Sequence, residues 1–337
     1  MSKPRLLSPS RVMRATPGQP GGGRDRYALV DKAHEAIREG SRSFAMASAL
    51  FDTKTRERVW LLYAWCRRCD DIADNQEMGG ELGSQKNKQD RVEAIRVLTR
   101  RAFEGQPTAD PAFDGFGQVA AEAGLTKQMA DDVISGFALD ASDWQPRTDG
   151  DLMRYCYHVA GAVGVMMAQV MGVPDGDDDT LDRACDLGLA FQLANISRDV
   201  VEDAAAGRCY IPANWLVEAD LEPGEHAKPN NRFALASLMP RMIERMDRHI
   251  AAARLGAARL SFRQRWAILA AARIYGAIGH KVLDRGQNAW NHRVVVGRLE
   301  KLWHVAASFG EALINRPTPP DPMPYWKREM LLPVRGW

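Results

Sequence analysis

The chain has 337 residues, 45% hydrophobic and 26% charged, a globular composition that excludes full disorder and fibrous repeats. Its 45 Lys and Arg against 43 Asp and Glu leave a net charge of +2, so bulk charge does not hold it to nucleic acid. The five cysteines, at 66, 69, 156, 185 and 209, imply no disulfide framework and fit a reducing, cytoplasmic setting.

Residues 1–26 carry six basic side chains and one acid, together with Pro17, Pro20 and a run of three glycines. This composition reads as a disordered basic arm. The arm has no apolar h-region and is no secretory signal; a transit-peptide reading stays open beside that of a solubilising tail. From residue 27 the helical period dominates, and strand-like alternation is almost absent. Helices are predicted over 27–38, 41–50, 54–74, 88–103, 111–123, 126–141, 149–171, 177–203, 232–260, 264–287 and 293–314. The stretch 204–235 reads either as a flap over a cavity or as an ordinary surface loop. Residues 316–337 hold six prolines and are expected to be irregular. No linker interrupts 27–315, so one all-α domain is expected. The longest apolar run, 159–173, suits a buried helix rather than a bilayer span. Peripheral membrane contact stays open, with Tyr325, Trp326 and Trp337 beside Lys327 and Arg328 as its candidates.

Two stripes carry chemistry. Tyr63, Arg67, Asp70 and Asp74 are spaced by four, three and four and share one helix face. Aspartates at i,i+4 repel, at a cost of ~0.3 kcal/mol. The neighbours Trp60 to Trp65 point to a buried helix, where carboxylates need a partner or a metal. One DxxxD alone is weak evidence. A second follows: Gln192, Asn195, Asp199 and Asp203 form a polar stripe on an otherwise apolar helix. Two such stripes suggest a cavity shared between helices. Oxygen-only ligands suit Mg²⁺ or Mn²⁺ rather than zinc, and metal-bridged carboxylates suit a diphosphate. Arg67 and Arg198 add donors for phosphate oxygens.

These segments carry a resemblance. DDIAD at 70–74, YCYHVAGAVG at 155–164 and FQLANISRDVVED at 191–203 resemble the squalene/phytoene synthase family. GSRSF at 40–44 and GRCYIPANWL at 207–216 fit as well, and the likeness spans nearly all of 35–315. Within the family, the forms DRACDLGLAFQLANISRD and RCYIPANWL are similar to those of the bacterial phytoene synthase branch.

The resemblance implies an all-α isoprenoid synthase bundle around a central cavity. It implies head-to-head joining of two geranylgeranyl diphosphates through prephytoene diphosphate to phytoene, with divalent metal and without NADPH. By this likeness Asp70, Asp74, Asp199 and Asp203 bind metal, and Asn195 helps bind metal and diphosphate. Gln192 contacts substrate, and Ser41, Arg42 and Ser43 form an early substrate-binding segment. Tyr63, Arg67 and Arg198 match phosphate or cavity contacts, and Tyr155 lies near the reacting carbons. Tyr275 and Arg293 match later diphosphate contacts, with Arg285 and Arg298 as neighbouring substitutes for Arg293. The implied partners are geranylgeranyl diphosphate, a membrane surface at the inner face and downstream carotenoid enzymes. Two alternatives remain: a squalene or dehydrosqualene synthase using farnesyl diphosphate, and a non-catalytic assembly protein, against which the four aspartates argue.

Other features read more plainly. The CxxC of Cys66 and Cys69 is taken as coincidence. His158 is expected in the core, and Asp177 to Asp179 as helix-capping acids. Val159, Val163, Met166, Met167 and Phe191 are candidates for an apolar cavity wall, although methionines at this spacing are more often core. Residues 241–259 read as a solvated helix face.

Overall fold

Short polar side chains set most of the helix starts. The computed structural model describes residues 18–76, 83–84, 86–222 and 224–332, with the side chains of Arg42 and Ser43 outside the description. Asp25 caps α1 (Arg26–Gly40), Ser41 caps α2 (Arg42–Ser48) and Asp52 caps α3 (Thr53–Asp74). Next comes α4 (Lys88–Phe103). Asp110 caps α5 (Pro111–Ala123), which begins with proline, and Thr126 caps α6 (Lys127–Ala141). Thr148 and Asp151 close a reciprocal box on α7 (Asp149–Cys156). After α8 (Ala162–Val170), Asp177 caps α9 (Asp178–Ala205). The chain ends through α10 (Ala213–Glu218), α11 (Arg232–Ala257), α12 (Phe262–Arg285), α13 (Arg298–Ile314) and the short α14 (Arg328–Leu331). The described residues contain no strand.

The spine of the bundle is α9, 28 residues long. It packs against α7, α8, α11 and α12, while α3 packs against α1, α4, α5 and α8. One apolar core runs through both groups. The approach of α8 to α9 is backbone to backbone. A Cβ on Gly188 would sit 2.3 Å from the Ala160 carbonyl oxygen, and one on Gly164 2.4 Å from that of Ala184.

The helix predicted over 149–171 follows one path but contains a wide turn, Tyr157–Gly161, where the Ala162 amide donates to the Tyr157 carbonyl five residues back. One extra residue in a turn leaves the apolar period almost intact, so pattern does not reveal it. The helix predicted from 293 begins at Arg298 instead. Before it, Val294 and Val296 are buried and Val295 is exposed, the alternation of an extended segment.

Residues 18–26 correct the basic-arm expectation, while residues 1–17 lie outside the description. The Gln19 amide donates to the Gly105 carbonyl at 2.9 Å, and Arg24 donates to the buried Asp114 at 2.6 Å. Arg26 bridges Glu57 and Glu122, each at 2.6 Å. The basic residues find carboxylates far along the chain, which composition cannot register. The stretch 204–235 is likewise not a plain surface loop: Cys209, Tyr210, Ile211, Trp215 and Leu216 are buried. Residues 241–259 are not a solvated face, because Met242 and Met246 are core. Arg241 and Arg245 lie over Trp215, 4.2 and 4.9 Å from its ring, and both pair with Asp149. At the C-terminus, Trp326 packs on α7 at Gly150 rather than facing solvent, and Trp337 lies outside the description.

Replacing Gly188 with Ala should push α8 from α9 and cost about 1–3 kcal/mol, read as a lower denaturant midpoint. Gly310 has open space around its missing Cβ. Gly310→Ala should therefore be neutral or stabilising by up to about 1 kcal/mol.

Candidate active site

A cavity of about 680 Å³ runs beside α9, lined by that helix from Thr180 to Asp203. At 1.5 Å per residue this is ~35 Å of helix. Over most of that length the wall is apolar or small: Val159, Val163, Met167 and Met171 from the α8 side, Phe191 from α9, Ala253 and Ala257 from α11. Met166, a wall candidate by sequence, is instead fully buried in the core.

The other end is ionic. Asp70 and Asp74 come from the last turns of α3, and Asp199 and Asp203 from the last turns of α9. The negative ends of both helix dipoles therefore face the same space as four carboxylates. Arginines answer them. Arg67 donates to Asp70 at 3.0 Å. Arg198 and Arg293 converge on Asp199, at 2.7 and 3.1 Å, and Arg208 forks onto Asp74. The side-chain carboxylate of Asp203 has no hydrogen bond or ion pair among the described residues. Burial pushes its carboxyl up to about 7, the Asp199 charge adding to the effect. Asp70 is pushed up to about 6 by its enclosed setting, against the pull of Arg67. Its side chain still keeps 46% of its surface open, towards the cavity it lines.

The remaining sequence candidates fall around these groups. Ser41 lines the cavity while capping α2, its hydroxyl accepting from the Phe44 amide at 3.3 Å. Tyr63 stacks near Phe44, with centroids 5.6 Å apart. Gln192 and Asn195 face the cavity from α9. Tyr275 stacks on Phe191 at 3.9 Å. Arg293 reaches the site from the extended segment before α13, whereas Arg285 donates to the His292 carbonyl at 3.1 Å and Arg298 is exposed. The side chains of Arg42 and Ser43 lie outside the description.

Three residues of the site were not singled out by sequence reasoning: Asp140, Arg208 and Tyr210. Asp140 sits in the last turn of α6, so a third helix C-terminus points at the cavity. It accepts from the Tyr210 hydroxyl at 2.8 Å and from the Tyr155 hydroxyl at 3.2 Å, and the two rings stack at 4.5 Å. Burial pushes its carboxyl up to about 6. A lone aspartate has no spacing signature. Arg208 and Tyr210 lie in the quoted GRCYIPANWL segment, which was the available signal.

The plainer readings have clear surroundings. His158 is buried and donates from Nδ1 to the Asp132 carbonyl at 2.8 Å. Asp177 accepts from the Thr180 amide at 3.2 Å as the α9 cap. Burial raises both CxxC thiols, Cys66 to about 12, the reverse of an activated thiolate.

Among the described residues no three His, Cys, Asp or Glu side chains form a ready-made metal cage. Two aspartate pairs on opposite walls leave coordination positions for phosphate and water, as hard divalent cations prefer. The all-oxygen donors, the unpaired Asp203 and the raised carboxyls fit such a cation.

An all-α bundle with an apolar tunnel and an ionic mouth of this kind defines an enzyme for a substrate with a long apolar tail and an anionic head. Residues 37–300 match the family model described as squalene/phytoene synthase, and the chain belongs to that family. It is 44% identical over 307 residues to a 15-cis-phytoene synthase of Pantoea ananas, covering 90% of this chain and 99% of that one. It is 46% identical over 279 residues to that of Enterobacter agglomerans, covering 82% and 94%. Among solved structures, a dehydrosqualene synthase in complex with ligand shares the fold with a TM-score of 0.76 at 23% identity, covering 86% of this chain and 98% of that one.

The raised carboxyls have a consequence for stability. Asp70, Asp140 and Asp203 rise from an ordinary 3.8 to about 6, 6 and 7. Their contribution to stability is present in acid and lost as pH rises through those values. The metal-free protein should therefore melt lower at pH 8 than at pH 5. Asp203→Asn should flatten the slope, and added Mg²⁺ should restore stability most at the alkaline end. A flat melting profile between those pH values would contradict this charge balance.

Proposed function

We propose that the chain condenses two geranylgeranyl diphosphates head to head, through prephytoene diphosphate, to phytoene, releasing two diphosphates. The observation that carries this reading is the long apolar cavity ending between two facing aspartate pairs interleaved with arginines. The names of its relatives, 15-cis-phytoene synthases alike over most of both chains, support it. We read residues 27–315 as the synthase domain, with the seated 18–26 segment as its extension.

In this reading Asp70, Asp74, Asp199 and Asp203, with Asn195, would hold Mg²⁺ or Mn²⁺. Such ions, when bound, neutralise diphosphate and act as Lewis acids on its departure. Arg67, Arg198, Arg208 and Arg293 exchange aspartate partners for phosphate oxygens, which hold a guanidinium equally well. Ser41, Tyr63 and Gln192 position the substrate near that end. The apolar wall keeps water from the allylic cation, and Tyr155, Tyr210 and Tyr275 line the space in which it forms. Asp140 fixes the Tyr155 hydroxyl, so that ring has a defined place. The reaction ends by proton loss, so NADPH has no step to perform.

No helix among the described residues is long and apolar enough to cross a membrane. We place the enzyme in the cytoplasm, peripheral to the inner face of the membrane and near downstream carotenoid enzymes, because its hydrocarbon product does not travel through water.

The test is a product assay. Purified protein with geranylgeranyl diphosphate and Mg²⁺, without NADPH, should give a forty-carbon hydrocarbon, and chelator should abolish it. Asp70→Asn and Asp199→Asn should each lower kcat at least ~100-fold with unchanged far-UV circular dichroism. A thirty-carbon product, made only from farnesyl diphosphate in a parallel tube, would overturn the chain length. Folded protein that turns over neither substrate would overturn the reaction.

A further inference from the structure

Among the described residues nothing covers the outer face of α13. Leu299, Leu302, Trp303 and Leu313 are 83%, 56%, 68% and 63% exposed, and Phe309 and Ile314 are exposed with them. With the exposed Ala306 between Trp303 and Phe309, they recur every three or four residues in one stripe along a 17-residue helix, ~25 Å long. Scattered surface leucines need no explanation, but a continuous apolar stripe of this length marks a contact surface. The inner face is packed: Ser308 and Ala312 are buried, and Trp266 donates to the Val305 carbonyl at 2.8 Å.

The charges around the stripe have one sign. Both acids of α13 are paired with bases of the protein, Glu300 with Lys281, and Glu311 with Arg254 and Arg273 at 2.8 Å each. Arg298, Lys301 and Arg316 have no ion pair among the described residues. The surface is therefore an apolar band with a basic rim.

We infer that this face of α13 docks on an anionic lipid bilayer. A bilayer meets both features at once: acyl chains take the leucines and phenylalanine, headgroup level suits Trp303, and anionic lipids pair with the rim. Residues 1–17 are basic, with Lys3, Arg5, Arg11 and Arg14, so their charge does not complement the basic rim. A second copy would bring two basic rims together. The stripe also begins beside the cavity mouth: Arg293, which lines it, precedes Arg298 by five residues, with the exposed Val295 between them. The biological sense of the docking rests on the proposed reaction, whose product is a hydrocarbon, but the test does not depend on turnover.

The experiment is flotation of the purified full chain with vesicles of phosphatidylcholine alone or mixed with phosphatidylglycerol. Wild type should float with the mixed vesicles and detach as salt is raised. Leu302→Glu with Leu313→Glu should weaken binding at least ~10-fold. Melting temperature and turnover of detergent-dispersed substrate should stay unchanged, since neither leucine lines the cavity. Brominated acyl chains should quench fluorescence in wild type that is missing in Trp303→Phe, which tests the face even if the double variant folds poorly. The inference is overturned if wild type does not float with the mixed vesicles, or if the double variant floats equally well. It is also overturned if lipid-free wild type is a dimer that the double variant dissociates, because a second copy then covers the face.

Discussion

The structure depends on holding like charges together. Five carboxylates, Asp70, Asp74, Asp140, Asp199 and Asp203, stand in the last turns of three helices and face one cavity. Coulomb repulsion and three helix dipoles all act against gathering so many acids in one place. The protein lessens the conflict with guanidinium partners and tyrosine donors but does not remove it, since Asp70 and Asp140 remain pushed up to about 6 and Asp203 to about 7. A site selected for stability alone would have dropped one acid. Retaining all five makes sense where cations arrive with a ligand, and the core supplies the stability that the site gives up.

Holding that arrangement falls largely to two tryptophans. Arg208 and Arg293 reach the site from irregular segments, where a side chain is usually poorly fixed. Seven residues after Arg208, the buried Trp215 is pinned beneath Arg241 and Arg245, which pair with Asp149. Three residues before Arg293, Trp290 donates to the Ser197 carbonyl of α9 at 3.0 Å and carries Arg232 over its ring at 5.6 Å. Each loop-borne arginine thus follows or precedes an anchored ring. The distance from Arg293 to Asp199 is set through Ser197, a residue of the same helix as its partner.

What the sequence revealed follows the range of the interactions involved. The stripes on α3 and α9 are local, recurring within four residues, so both were legible from spacing. The bounds of α4 and α5 were legible too, because their flanks carry glycine, proline and a capping aspartate. Asp140 was not legible, since its role exists only through Tyr155 and Tyr210, 15 and 70 residues away. Arg208 meets Asp74 across 134 residues, and Arg24 meets Asp114 across 90. Composition called the second of these regions disordered because it counts charges without their partners. Arg293 was placed by resemblance, within a helix that begins only five residues later.

The far end of the cavity follows a different logic from the mouth. There Arg183 lines the apolar space, yet its guanidinium lies 3.2 Å from Asp186, whose other oxygen is 2.7 Å from His249 Nδ1. All three residues are buried. The arginine presents its aliphatic stem to the cavity and keeps its charge inside the α9–α11 packing. Removing one partner from a buried pair leaves an uncompensated charge, at a cost of about 3–5 kcal/mol. The floor is therefore stiff, because Arg183 cannot swing aside without breaking the pair. The walls above it are soft, since Met167 and Met171 change rotamer cheaply. A rigid floor under adaptable walls limits the depth of the cavity while letting its sides adjust.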